Sequence, residues 1–232
     1  MHYSDSTVII PTLNEGKNIG ELLTIIQKSY PGIHVVVADD GSTDETCKIV
    51  KAASRKDKNI ALVNRAQEPV KGITASVIDA VHACNTPFFV VIDGDLQHPP
   101  EKIRDLVKGL RAGNRVVIGT RSEVMTDWPF LRKLMSRGAT LLGQFRLVLT
   151  GVLTSDPMSG FFGCEKALFE HQFHQHQPSF VLTGYKVLFD LLKNLPRGTA
   201  VAEVPYVFGS RKRGSSKIGF RHILAYLRSL VK

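Results

Sequence analysis

Cysteine is scarce. Cys47, Cys84 and Cys164 are the only three in 232 residues, far apart and odd in number. That pattern excludes a disulfide framework and a Cys-x-x-Cys metal site, and it fits small thiols in a reducing cytoplasm. Long apolar runs are missing as well. Residues 1–7 are polar and hold no leader core, and no stretch reaches the roughly 20 apolar residues that a spanning helix needs. The nearest approach, 141–153, is interrupted by Gln144 and Arg146. Internal repeats and low-complexity segments are also lacking. Acidic residues are outnumbered, 21 to 30, for a formal net charge of +9. A basic surface attracts nucleic acid, nucleotide phosphates or anionic lipid head groups, and charge by itself does not choose among them. A hydrophobic content of 43% with 22% charged residues fits a globular chain with a real core. The length suits one domain: residues 1–210, with 211–232 as a C-terminal extension of the same unit.

The first 120 residues alternate strand-like and helix-like segments. Apolar runs at 8–10, 34–38, 60–63, 88–92 and 116–118 read as strands. Between them, helical spacing predicts helices over 14–28, 44–56, 73–84 and 100–111, with Asn14 as a cap and Ser42–Glu45 as a capping box. A repeated strand–helix order with short connections predicts an α/β fold, a mostly parallel sheet flanked by helices. The second half is less regular. A long helix is expected over 129–149, strands at 160–164 and 199–208, a helix over 185–192, a basic Gly/Ser loop at 211–217 and an amphipathic basic helix at 220–231. His171, His174 and His176 have no partners at a zinc spacing and read as an exposed polar loop.

In parallel sheets ligands bind beyond the carboxyl ends of the strands, and the acidic clusters fall there. Asn14-Glu15 follows the first strand, Asp39-Asp40-Gly41-Ser42 the second, and Asp93-Gly94-Asp95 a later one. These clusters are expected to converge. Two carboxylates alternating about a glycine can hold Mg²⁺ or Mn²⁺ against a diphosphate, and Gln97 can add a neutral oxygen. The plainer reading is a turn whose aspartates cap the next helix. A buried strand before it and a second acidic pair in the same layer favour the metal. Asp40 can accept hydrogen bonds from ribose or a base edge, while Ser42 and Asp44 cap the following helix.

Seven segments occur in a telling order: VIIPTLNEGKNI, VADDGSTDET, VIDGDLQHPP, GTR, DPMSGFFGC, GYK and EVPYVFGSRKRGSSKIG. Together they resemble glycosyltransferase family 2, and within it the dolichol-phosphate mannose synthases and their polyprenyl-phosphate glycosyltransferase relatives. The resemblance covers roughly 8–230. It implies a GT-A-like nucleotide-diphospho-sugar fold. It implies that Pro11, Glu15 and Asp40 contact the donor nucleotide, and that Asp93, Asp95 and Gln97 surround the metal and diphosphate. It puts the lipid phosphate at Arg121 and Arg132, and it makes Arg211 and Lys217 a pair that closes over the donor. Leu13 stands where these enzymes often carry an aromatic, so a base-stacking contact, and with it guanine over uracil, does not carry over. No QxxRW segment of the processive relatives is present.

The implied reaction is an inverting transfer of a hexose, mannose from GDP-mannose foremost, onto a polyprenyl or dolichyl phosphate. Asp95, Arg121 and Arg132 would be catalytic. Such an acceptor is already anionic and needs positioning more than a general base. Planar guanidinium groups suit phosphate oxygens. The lipid places the enzyme peripherally at the cytoplasmic face of a membrane, through amphipathic segments 131–149 and 220–231. Two alternatives within enzymes are a UDP-sugar donor and a soluble transferase acting on a hydroxyl, with Asp156 or Asp190 as base. Nucleic acid is not an expected partner, because the basic loop carries no interleaved aromatics.

Overall fold

The computed structural model describes residues 2–124, 130–210 and 220–232, the side chains of 124, 130–137 and 220–223 excepted. Among these the chain runs β1 (Ser6–Thr12), α1 (Ile19–Ser29), β2 (His34–Asp39), α2 (Thr46–Lys56), β3 (Ile60–Asn64), α3 (Ile73–His82), β4 (Phe88–Val91), α4 (Ile103–Arg111) and β5 (Val116–Val124). It continues through α5 (Phe130–Val148), β6 (Phe162–Glu165), α6 (Lys166–Gln175), α7 (Val187–Leu192), β7 (Val201–Phe208) and α8 (Phe220–Val231).

The strands form one sheet in the order β3-β2-β1-β4-β6-β5-β7. Both sheet faces are covered, and alternate residues serve opposite cores. Ile9, Val36 and Phe89 join α3, α6 and α7 on one side, while Ile10, Val37 and Val90 join α1 and α4 on the other. Each fully buried aliphatic side chain contributes about 1.5–3 kcal/mol, so burial holds these short strands. Pro205 is tolerated in β7 because β7 lies at the sheet edge.

All pairings are parallel except those of β6, which runs antiparallel to both β4 and β5. The reversal matters for the site. It makes β6 start at the edge where β4 and β5 finish, so the residues leading into β6 arrive beside the residues leaving β4. β1 is flanked by β2 and β4, which opens a crevice at the switch in strand order.

Three local expectations are corrected. Asn14 caps no helix. It has φ 54, and its side chain accepts from the Thr43 amide at 2.8 Å, tying the loop after β1 to the loop after β2. Ser42–Glu45 forms no capping box, because the Ser42 hydroxyl donates to Asp39 and the helix opens later, at Thr46, whose amide donates to Asp44 at 2.9 Å. The histidine segment is helical. Leu168, Phe169, Gln172 and Phe173 bury one face of α6, with His171 and His174 on the helix and His176 ending it. Its polar outer face hides that period in the sequence.

Candidate active site

Parallel pairing of β1 and β2 brings their ends level, with Thr12 opposite Asp39. Asp39 is fully buried and accepts from the Ser42 amide at 2.8 Å and the Thr12 hydroxyl at 3.1 Å. Burial opposes its ionisation, but the Ser42 hydroxyl and amide outweigh that and hold its pKa below the ordinary carboxylate value. Asp39 therefore builds the loop, and Asp40 faces the ligand side. Asp40 accepts from the Gly72 amide at 2.7 Å and pairs with Arg65, which is 3% exposed and also bonds Asp79 at 2.7 Å. Burial still raises the Asp40 pKa, against the pull of the Gly72 amide and Arg65.

The loop after β4 carries the second acidic pair. Asp95 is buried and accepts from the Gln97 amide at 3.1 Å. The Gln97 side-chain nitrogen donates to the Gly209 carbonyl at 3.1 Å, and the Gly209 amide returns a bond to the Gln97 carbonyl at 2.9 Å. This loop is thus fastened to the end of β7, which leaves the Gln97 amide oxygen as the atom that can meet a cation. His98 lies beneath. Its ring stacks on Phe161 at 5.3 Å and meets Phe208 edge-on at 5.3 Å. Burial drives its pKa down to about 4, so it is neutral at physiological pH and its Nδ1 accepts from the Asp93 amide at 3.4 Å. His98 supports the Asp93 backbone.

The opposite wall comes from β5 and the approach to β6. A register shift between Arg121 and Glu123 against Tyr206 and Val207 marks a bulge at Ser122, a device that re-aims a side chain. Arg121 holds Asp156 with two nitrogens, Nε at 2.7 Å and Nη2 at 2.8 Å. Burial raises the Asp156 carboxyl, yet the Arg121 bonds dominate and its pKa ends below the ordinary value. At Gly160 a Cβ would stand 3.2 Å from an Asp93 oxygen, a tight contact that places this stretch of chain close to the acidic loop. Lys186, just before α7, donates from Nζ to the Met158 carbonyl at 2.6 Å. The Tyr206 hydroxyl is buried and has no hydrogen-bond partner among the described residues.

These walls enclose a cleft of about 300 Å³. Pro11, Glu15, Asp40, Asp93, Asp95, Gln97 and Arg121 all line it, so seven of the residues expected from sequence converge. Arg132 sits in α5, where its side chain lies outside the described residues, as do Arg211 and Lys217. Lys186, Ser159 and Tyr206 also line the cleft and were not foreseen, and Asp156 was weighed only as a possible base. The DPMSG and GYK segments were the available signal, but they carry no chemistry until β6 is known to run backwards.

The family model described as glycosyl transferase family 2 matches residues 7–173. The chain belongs to that family. A relative named dolichol-phosphate mannosyltransferase, from Pyrococcus furiosus, is 36% identical over 97% of this chain and 62% of its own length. Another of that name, from Mycosarcoma maydis, is 32% identical over 97% of this chain and 78% of its own. Polyprenol monophosphomannose synthase from Mycolicibacterium smegmatis is 28% identical over 93% and 82%. This family 2 chain thus spans less than two thirds of the Pyrococcus protein. Among solved structures, glucosyl-3-phosphoglycerate synthase from Mycobacterium tuberculosis matches with a TM-score of 0.68 and 25% identity, over 97% of this chain and 80% of that one. The fold is GT-A, a mostly parallel sheet between helical layers.

The family's chemistry has a fitting donor set here. Asp93 and Asp95 offer carboxylate oxygens from one short loop, with Glu15 and the Gln97 amide on the same cleft. Among the described residues no group of three or more His, Cys, Asp or Glu side chains forms an all-protein cage. Two carboxylates with room for ligand oxygens suit a hard cation that keeps several coordination positions for phosphate and water.

Proposed function

We propose that this chain moves mannose from GDP-mannose to a polyprenyl or dolichyl phosphate, with inversion, at a membrane surface. One observation supports the acceptor class: neither Asp156 nor Asp190, the two carboxylates that the sequence offers as a base for a hydroxyl acceptor, is placed to act as one on the cleft. Asp156 is locked behind Arg121 with a lowered pKa. Asp190 is 1% exposed, joined to Lys193 at 2.9 Å, and lies away from the cleft lining. A hydroxyl acceptor needs a positioned general base, with a pKa best near the operating pH, to take its proton as it attacks. A phosphate acceptor needs cations, and Arg121 and Lys186 stand on that wall. The names of the curated relatives support the same reading.

In this reading Pro11, Glu15 and Asp40 hold the nucleotide. Asp93, Asp95 and Gln97 hold Mg²⁺ or Mn²⁺, which when bound neutralises charge on the leaving diphosphate. Arg121 and Arg132 orient the acceptor, and Arg211 and Lys217 close over the donor.

A membrane contact is supported by the surface. α5 leaves Leu141, Leu142, Phe145 and Val148 exposed, Phe145 by 75%, and Leu149 just after it is exposed as well. α8 buries Ala225, Tyr226 and Ser229 but exposes Leu224, Leu227 and Val231. The two helices meet where the Tyr226 hydroxyl donates to the Ala139 carbonyl at 2.6 Å. No helix among the described residues is long and apolar enough to cross a bilayer, so the contact proposed is interfacial.

The test is a donor panel, GDP-mannose against UDP-glucose, with a short polyprenyl phosphate and Mn²⁺, Mg²⁺ or chelator. Mannosyl lipid formed from GDP-mannose and lost with chelator is the expected result. Transfer to a sugar hydroxyl instead, or indifference to both donors, would end the reading.

A further inference from the structure

Charges along the cleft are largely matched. Asp40 faces Arg65, and Arg121 faces Asp156. Asp93 and Asp95 belong to the cation and diphosphate side. Lys186 differs. Its ammonium has the Met158 carbonyl at 2.6 Å and the Tyr185 ring at 4.5 Å, and among the described residues no carboxylate lies within ion-pair distance. An ammonium has three donors, so its capacity is mostly unmet where solvent access is restricted. A partly buried charge in that condition is costly until anionic oxygens reach it.

Its placement is also rigid. The turn before it is fixed to the start of α3, where the Thr74 amide donates to Gly184 at 3.1 Å and the Ala75 amide to Leu182 at 3.2 Å. Gly72, at φ 146, allows this approach, since a Cβ there would stand 2.7 Å from the Leu182 carbonyl. Gly72 is the residue whose amide Asp40 accepts. Lys186 is therefore held by a framework that begins at the nucleotide end.

Asp156 engages the Nε–Nη2 edge of Arg121, which offsets its charge and leaves the Nη1–Nη2 end for a phosphate. A second cation beside it strengthens the seat. We infer that Lys186 binds the acceptor phosphate, forming with Arg121 a two-cation seat opposite Asp93 and Asp95. The inference rests on the lipid-phosphate acceptor proposed above. Burial lowers the Lys186 pKa to about 8, in keeping with an ammonium whose counter-charge arrives with the substrate.

The experiment is calorimetric titration of farnesyl monophosphate into the full chain with Mg²⁺ and GDP, beside a separate titration of GDP-mannose. Lys186→Met and the isosteric Lys186→Gln should each weaken farnesyl phosphate by about tenfold or more, Lys186→Arg by about threefold at most, and GDP-mannose by less than about twofold. Melting curves establish that each variant is folded, and the Gln variant answers if the Met variant is not. Unchanged farnesyl phosphate affinity in a neutral variant overturns the inference. So does a matching loss of GDP-mannose, which would move Lys186 to the donor diphosphate. If the unaltered chain binds GDP-mannose but ignores farnesyl phosphate, the acceptor reading itself fails and takes this inference with it.

Discussion

Two lysines bracket α7 and live in opposite circumstances. Lys193 is sealed, with Asp190 at 2.9 Å, the Ser179 carbonyl at 2.8 Å and the Ser229 carbonyl at 2.8 Å. Every donor has a partner, and the cluster pins α8 to the turn before α7. Lys186, at the other end, has one carbonyl, the Tyr185 ring and the cleft. A saturated buried cation is a structural device, because nothing remains to bind a ligand. An unsaturated one at a cleft is a binding device, because folding alone has not satisfied it.

The contrast is most exposed to failure at Lys193. Lys193→Met should lower stability by about 3–5 kcal/mol, since it strands Asp190 in the core. Urea unfolding measures this, and GDP-mannose affinity of the folded protein should not move. A stable variant with weakened donor binding would reverse the assignment. Asp95→Ala should do the opposite, cutting turnover by about 10²–10³-fold while the melting temperature stays within a few degrees. Rate and melting curves on one preparation decide it.

Asp156→Asn lies between the two kinds. It should cost about 2 kcal/mol, by leaving Arg121 without its counter-charge. Its pH dependence carries a sign. The folded-state pKa of Asp156 is lowered, so its contribution is present above the unfolded carboxylate value and is lost as pH falls through the folded one. The wild type should therefore lose stability over that acidic window, and the Asn variant should show a flatter profile there. Equal slopes in urea midpoints would remove the ion pair from the account. The smallest effect belongs to the surface. Phe145→Ser should reduce binding to anionic liposomes by about tenfold without changing stability, as cosedimentation and melting would report.

Much of the acidic side of the cleft was legible in the sequence. Short strands with polar ends, followed by Glu15, Asp40 and Asp93-Gly94-Asp95, imply convergence through one general rule about parallel sheets. The cationic side of the cleft was not legible in the same way. Asp156 and Lys186 sit in motifs visible in the sequence, but only the reversed direction of β6 brings Met158 and Gly160 over the acidic loop. The α6 helix escaped notice because His and Gln cover its outer face. Asn14 was misread because the same side chain that caps helices can also bridge loops, and a partner 29 positions away is invisible to local rules.

By itself the sequence determined the alternation of elements, the strand-end acids and the family. Those features depend on local periodicity and on residue type, which neighbours along the chain reveal. Tertiary structure alone decided which charges are matched. Arg65 with Asp40 and Arg121 with Asp156 join distant segments. Whether a buried charge is satisfied depends on atoms brought together in space, and no order of residues states it.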